Sequence, residues 1–195
     1  MEEVKITTKE RILEEALKLF SVSGFEGVTI RNIADAVEIR NSSLYKHFSS
    51  KQEIFDAIVE KAKRIYQEKV AKVVTEMKRQ KDGKDTSLQM FLFQTGEPWI
   101  VMFRQLLLIE KFRNREIAKL YKEFFVDGPI NTQMEIFQSL IDAGMMKPGN
   151  TRVYAMELYA PFYLYHFVEE NKEELLELFK IHYEYFWSHY AIQKK

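Results

Sequence analysis

Hydrophobic positions recur with a period near 3.6 along the whole 195-residue chain. No stretch sustains the period-2 alternation of a half-buried strand, so the pattern predicts an all-α protein. Thr7 and Glu10 have capping-box spacing, which predicts a helix from about Thr8 that buries Ile12, Leu13, Ala16, Leu19 and Phe20 and stops at Gly24. Thr29 suits the N-cap of a second helix with Ile30, Ile33, Ala34 and Val37 inward. A third short helix covers about Ser42 to Phe48. Ser50 and Glu53 repeat the capping-box spacing and open a long helix to about Gln80, before a polar turn over Lys81–Asp85. Further helices are expected at about 86–95, 98–112, 115–126, from the Asp127-Gly128-Pro129 break to Ala143, at 151–169 and at 172–190. Pro161 should kink the helix at 151–169 near Ala160.

Three short helices within some forty residues, the last with a basic polar face, form the physical recipe for a helix-turn-helix. Leu44 and Phe48 lie one helical turn apart and point inward. Asn41, Ser42, Ser43, Tyr45, Lys46 and His47 are left facing outward. From Ile39 to Lys51 the charged residues are Arg40, Lys46 and Lys51, all positive. The formal net charge of the whole chain is zero, but salt screening makes the local field the relevant one at a phosphate backbone. Asn41 could read adenine, and Arg40 guanine. Thr29, Tyr45, His47 and Lys51 suit phosphate contacts, and the N-terminus capped by Ser50 also favours phosphate.

The stretch Gly24-Phe25, Val28-Thr29-Ile30-Arg31-Asn32-Ile33-Ala34 and Ser43-Leu44-Tyr45-Lys46-His47-Phe48-Ser49-Ser50-Lys51 resembles the signature of the TetR family of transcriptional regulators. The likeness covers about residues 8–60. It implies a homodimer, two helix-turn-helices on palindromic double-stranded DNA, and small-molecule control from the C-terminal domain, with repression the commoner outcome. Carried over by position, Thr29, Arg40, Asn41, Ser43, Tyr45, Lys46, His47 and Lys51 match the family's DNA contacts. Two positions depart from the pattern. The family's usual turn glycine is Glu38 here, which predicts a turn wound differently, because positive φ is costly for a residue with a Cβ. The family's capping serine is Arg40 here, which leaves Asn41 open to either capping or base reading.

The division expected is a helix-turn-helix domain over residues 1–50 and a helical effector-binding and dimerisation domain over 51–195, joined through the long helix at 51–80. The last two helices are apolar on more than one face, and such helices must be covered on more than one face. A symmetric four-helix subunit interface is therefore expected, with Phe162, Tyr165, Leu178, Phe179 and Phe186 at its centre. Phe91, Trp99, Phe103, Glu110, Tyr121, Phe125 and Tyr159 are the candidates for a ligand pocket. Filling the core is the other role open to each. Glu110 and Glu157 stand among apolar neighbours, where a buried carboxylate would select a cation; surface exposure or a local Lys/Arg pair is the commoner case. Tyr-rich walls suggest an apolar or aromatic effector.

Composition narrows the remaining classes. Cysteine is absent, which excludes disulfides, thiolate metal sites and cysteine nucleophiles. There is no apolar signal core and no run long enough to span a membrane, which fits a cytoplasmic protein. His182 and His189 share a helix face, and His166 precedes Glu169 and Glu170, but no HExxH or repeated ExxH spacing occurs. No phosphate-cradling glycine loop or catalytic triad can be assembled. The expectation is a regulator without metal or cofactor, and not an enzyme.

Overall fold

The computed structural model describes residues 6–80, 83–167 and 172–192. Lys81 and Asp82 of the expected polar turn lie outside these, as do Glu169, Glu170 and the side chain of His166. Ten α-helices follow in chain order: α1 (Thr8–Ser23), α2 (Ile30–Val37), α3 (Asn41–Leu44), α4 (Lys51–Gln80), α5 (Gly83–Gly96), α6 (Pro98–Glu110), α7 (Arg115–Lys122), α8 (Gly128–Asp142), α9 (Thr151–Phe167) and α10 (Lys172–Tyr190). No strand occurs among the described residues; Met146 and Ala191 form an isolated bridge.

The chain packs as two compact units. Met1–Ala71 with Gln94–Tyr121 make the first, and Lys72–Phe93 with Lys122–Lys195 the second. Packing therefore does not divide at residue 50. Within the first unit α6 lies on α1, and the start of α4 completes the core beneath the short helices. Ile12, Leu17 and Phe20 of α1 are almost fully buried, as are Ile33, Val37, Leu44, Phe48, Ile54 and Ile58. Phe25 stands edge-on to Phe55 with ring centres 5.4 Å apart.

Local signals act as the sequence predicts at several ends. Thr7 accepts from the Glu10 N–H while the Glu10 carboxylate accepts from the Thr7 N–H, closing the first capping box. Thr29 and Asn32 do the same for α2. At α4 the Glu53 N–H donates to Ser50 Oγ at 3.1 Å. The Glu53 carboxylate turns instead to Ser49, accepting its N–H at 2.6 Å and its hydroxyl at 2.7 Å.

The turn after α2 is not wound differently. Glu38 takes the left-handed conformation itself, with φ 59° and ψ 43°. The Ile39 N–H donates to Ala34 O at 3.0 Å and the Glu38 N–H to Asp35 O at 3.1 Å. These two bonds form the Schellman pattern that closes a helix end. Arg11 of α1 donates to Val37 O at 2.8 Å and satisfies a further carbonyl of that end.

In the second unit Phe91, Phe137, Phe162, Phe179, Phe186 and Trp187 share one core. Phe91 stacks on Phe179 and stands edge-on to Phe162 at 5.6 Å. Phe137 stacks on Phe186 at 5.4 Å. This corrects the expected subunit interface. Phe162, Phe179 and Phe186 are buried within their own chain, because α5 and α8 supply the cover that was assigned to a partner. Tyr165 is half-buried, with its ring 6.2 Å from Phe91. Leu178 is exposed, together with Val153, Met156, Leu164, Ile181 and Tyr185.

The break expected at Asp127-Gly128-Pro129 is instead a π-helical turn, Glu123–Asp127, leading directly into α8. The Gly128 N–H reaches back five residues to Glu123 O. A Cβ on Gly128 would lie 2.8 Å from that oxygen, so glycine is needed there. Pro129 has no N–H to give Phe125 O, and the Tyr163 hydroxyl donates to that carbonyl at 3.2 Å. Pro161 repeats the arrangement within α9. It leaves Glu157 O without its helical donor, and His182 Nε2 of α10 lies 3.1 Å from that oxygen.

Candidate nucleic-acid interface and effector region

The reading head is built on α3. Leu44 and Phe48 are buried at 0% and 1% exposure and anchor the segment. Past α3 the chain tightens, with Lys46 N–H to Ser43 O at 3.3 Å and His47 N–H to Leu44 O at 2.9 Å. This anchoring leaves Arg40, Asn41, Ser42, Tyr45, Lys46 and His47 exposed and Ser43 half-buried. Arg40 occupies the N-cap position of α3 with no side-chain cap bond. Asn41 is the first helical residue and does not cap, so its amide stands available to an outside partner.

Two of the expected phosphate contacts are committed elsewhere. The Lys51 ammonium donates to Phe25 O at 2.8 Å and Val28 O at 3.0 Å, and lies 4.3 Å from the centre of the Phe25 ring. It ties down the α1–α2 turn. Its charge is legible along the chain; the carbonyls that claim it are not. The Thr29 hydroxyl donates to Asn32 Oδ1 at 2.5 Å as part of the α2 cap. Its proton is not free for phosphate while that box is closed.

The seven candidate pocket residues are all buried, but they divide between the units. Trp99, Phe103, Glu110 and Tyr121 belong to the first, and Phe91, Phe125 and Tyr159 to the second. In the first unit Lys61 Nζ sits 3.9 Å over the Trp99 ring, and Lys111 Nζ 4.2 Å over that of Tyr121. Burial pushes the Tyr121 hydroxyl above its ordinary pKa, against a smaller opposing pull from Arg104. In the second, burial pushes the Tyr159 hydroxyl well above its usual range. Glu110 is 3% exposed, and its Oε1 accepts the Phe25 N–H at 2.8 Å. Glu157 is exposed and accepts from the Tyr190 hydroxyl at 2.8 Å.

Sequence reasoning missed a buried polar group in the first unit. Arg104 is 4% exposed and donates to Gln94 O at 2.5 Å. Gln94 is fully buried, and both atoms of its side-chain amide lack a hydrogen-bond partner, as does Trp99 Nε1. Buried polar atoms are nearly always paired, so this amide stands out in the core. The signal was the register of α6: Arg104 falls on the face of Ile100 and Leu107, both buried.

The model for bacterial regulatory proteins of the tetR family matches residues 12–58. The biofilm operon icaADBC HTH-type negative transcriptional regulator IcaR of Staphylococcus aureus (strain Newman) is 29% identical over 144 residues, covering 68% of this chain and 77% of that protein. A transcriptional regulator from Saccharomonospora viridis in complex with choline shares the fold with a TM-score of 0.72 at 21% identity, covering 95% of this chain and 98% of its own. A TetR-family regulator from Mesorhizobium loti MAFF303099 superposes with a TM-score of 0.69 at 17% identity, over 95% and 97% of the two chains. Over residues 12–58 the chain is thus similar to bacterial regulatory proteins of the tetR family, and nearly its whole length shares the fold of these solved regulators.

Proposed function

We propose that this chain is a transcriptional regulator of the TetR family, not an enzyme, and a repressor that binds a palindromic operator as a homodimer and is released by a small, mainly apolar or aromatic effector. The observation that carries the DNA half is the anchored α3. Its buried Leu44 and Phe48 leave Arg40, Asn41, Ser43, Tyr45, Lys46 and His47 to meet the major groove and its phosphates. Lys51 and Thr29 serve in this reading as positioning residues. Repression follows the negative regulator IcaR, its relative.

A homodimer is supported by the exposed apolar positions of the last two helices, Val153, Met156 and Leu164 on α9 and Leu178, Ile181 and Tyr185 on α10. Exposed apolar side chains in such number on adjoining elements fit a subunit interface. Effector response is supported by the buried, unpaired Gln94 amide and Trp99 Nε1. The choline complex of the Saccharomonospora relative is compatible with a fold that takes small molecules. Release requires that the effector bind the DNA-free arrangement more tightly than the DNA-bound one. The long α4 is our candidate for the transmitting element.

Selection from a random duplex pool at physiological salt tests this. The expected product is a palindrome whose half-sites lie about one helical turn apart, roughly 34–36 Å. Failure to enrich any sequence with folded, dimeric, ligand-stripped protein would overturn the reading. On the selected operator, dye-displacing apolar or aromatic compounds should lower affinity; displacement by small anions alone would remove the proposed effector class.

A further inference from the structure

Within the first unit, the α1–α2 turn, the start of α4 and the turn between α6 and α7 enclose a cleft of about 260 Å³. Phe25, Phe55 and Ile117 give it apolar wall, and Glu26, Gln52 and Glu110 give it polar wall. Glu110 is the anomaly. It ends α6, where the helix dipole disfavours a carboxylate. It is 97% withdrawn from solvent by its 3% exposure, and no ion pair reaches it among the described residues. A buried charge is ordinarily compensated by a partner. Glu110 Oε1 accepts the Phe25 N–H at 2.8 Å, which leaves Oε2 for the cleft that the residue lines.

The cations nearby do not fill this role. Lys51 is held by the carbonyls of Phe25 and Val28, and Lys111 lies over the Phe112 and Tyr121 rings. Arg113 lines the cleft but is exposed at its rim, where water screens it. Gly24 shows how closely the carboxylate is seated: a Cβ there would lie 2.4 Å from Glu110 Oε1.

We propose that this cleft is a binding site for a small organic monocation, its ammonium on Glu110 and its hydrocarbon against Phe25, Phe55 and Ile117. A charge-assisted bond to a withdrawn carboxylate supplies the selectivity, and aromatic walls favour a cation further. Binding as such needs no effector response. The regulatory meaning rests on the ligand-responsive reading, since Glu110 holds the amide that follows the end of α1, beneath the reading head.

The test uses three probes of one shape on the full chain: benzylammonium, benzyl alcohol and benzoate, titrated by amide NMR. Benzylammonium should shift the Phe25, Arg113 and Ile117 signals, with the other two at least about tenfold weaker. Glu110→Gln keeps an acceptor for the Phe25 N–H and removes the charge, and should weaken benzylammonium at least about tenfold. Gln52→Arg puts a cation into the cleft from an exposed position and should weaken it likewise; this variant decides if Glu110→Gln does not fold. Equal affinity for the three probes, or undiminished binding by both variants, overturns the proposal. Adding benzylammonium to the operator complex separates the two readings: binding without an effect on DNA keeps the site and removes its regulatory role. Absence of binding removes the site whatever the DNA response to other compounds.

Discussion

Replacing Glu38 by glycine should stabilise the protein. Glu38 has φ 59°, and no other non-glycine among the described residues has positive φ. The left-handed conformation costs an L-residue roughly 1–2 kcal/mol. Glycine avoids this but loses about 0.5–1 kcal/mol more backbone entropy on folding. The difference is a net gain of about 0.5–1 kcal/mol, or roughly 1–4 °C in Tm for a chain of this size. The hydrogen bonds that close the turn come from backbone N–H groups, so glycine retains them. The charge of Glu38, near the DNA-facing segment, is the confounding factor, and a series removes it. Glu38→Gln discards the charge and keeps the strain, and Glu38→Asn discards the charge and eases the strain. Glu38→Gly removes both. Urea unfolding at fixed protein concentration should rank them Gly, then Asn, above Gln and the parent. Equal stabilisation by Gln and Gly would place the gain in charge and refute the backbone argument.

Four further expectations are checked more briefly. Gly24→Ala should destabilise by about 2–4 kcal/mol, read by urea unfolding, since φ 73° with ψ 169° is glycine territory and the new methyl meets Glu110. Lys51→Met should cost about 1–3 kcal/mol of stability while leaving the salt slope of operator binding unchanged, whereas Lys46→Ala should reduce that slope by about one per half-site in fluorescence anisotropy. Tyr163→Phe removes the hydroxyl that donates to Phe125 O and should lower stability by about 1 kcal/mol, a Tm loss of roughly 2–4 °C by calorimetry. Hydrogen bonds from Thr7 and Ser49 hold the Glu10 and Glu53 carboxyls below their ordinary pKa. A carboxyl depressed in the folded state adds stability above its unfolded pKa and loses it as pH falls through the folded value, so the melting temperature should fall below about pH 4.3, and less steeply in Glu10→Gln.

What the sequence made legible was local. The box at Thr7, the N-cap at Thr29, the inward pair Leu44 and Phe48, and the glycine stop of α1 each depend on residues within four positions, and the structure places them as read. The internal role of Lys51 was not legible because its partners lie 23 and 26 residues away. Glu110 was singled out for its apolar neighbours, with exposure or a local ion pair the commoner expectation; it is buried, and its partner at Phe25 is 85 residues distant, about which spacing carries no information. The Glu38 turn shows a different limit. A one-residue penalty of about 1 kcal/mol is small beside the burial of Leu44, Val37 and Phe48 that the turn makes possible, so tertiary packing imposes the conformation.

The apolar faces of the last two helices show why composition cannot assign a subunit interface. An all-round apolar helix must be covered, but covering by α5 and α8 and covering by a partner leave the same mark on the sequence. The prolines help to separate the two. Pro129 and Pro161 each remove a helical donor, and the freed carbonyls of Phe125 and Glu157 are met by Tyr163 and His182. An unmet buried carbonyl costs about 1–3 kcal/mol, so each pairing penalises sliding of one helix past its neighbour. With His182 directed to α9, Leu178, Ile181 and Tyr185 stand at positions i, i+3 and i+7 of α10, and all three are exposed. They form a stripe that this chain does not cover. If that stripe is the subunit seam, Ile181→Glu should convert the dimer to monomer in sedimentation while leaving helix content unchanged; a dimer that survives the charge would put the seam elsewhere.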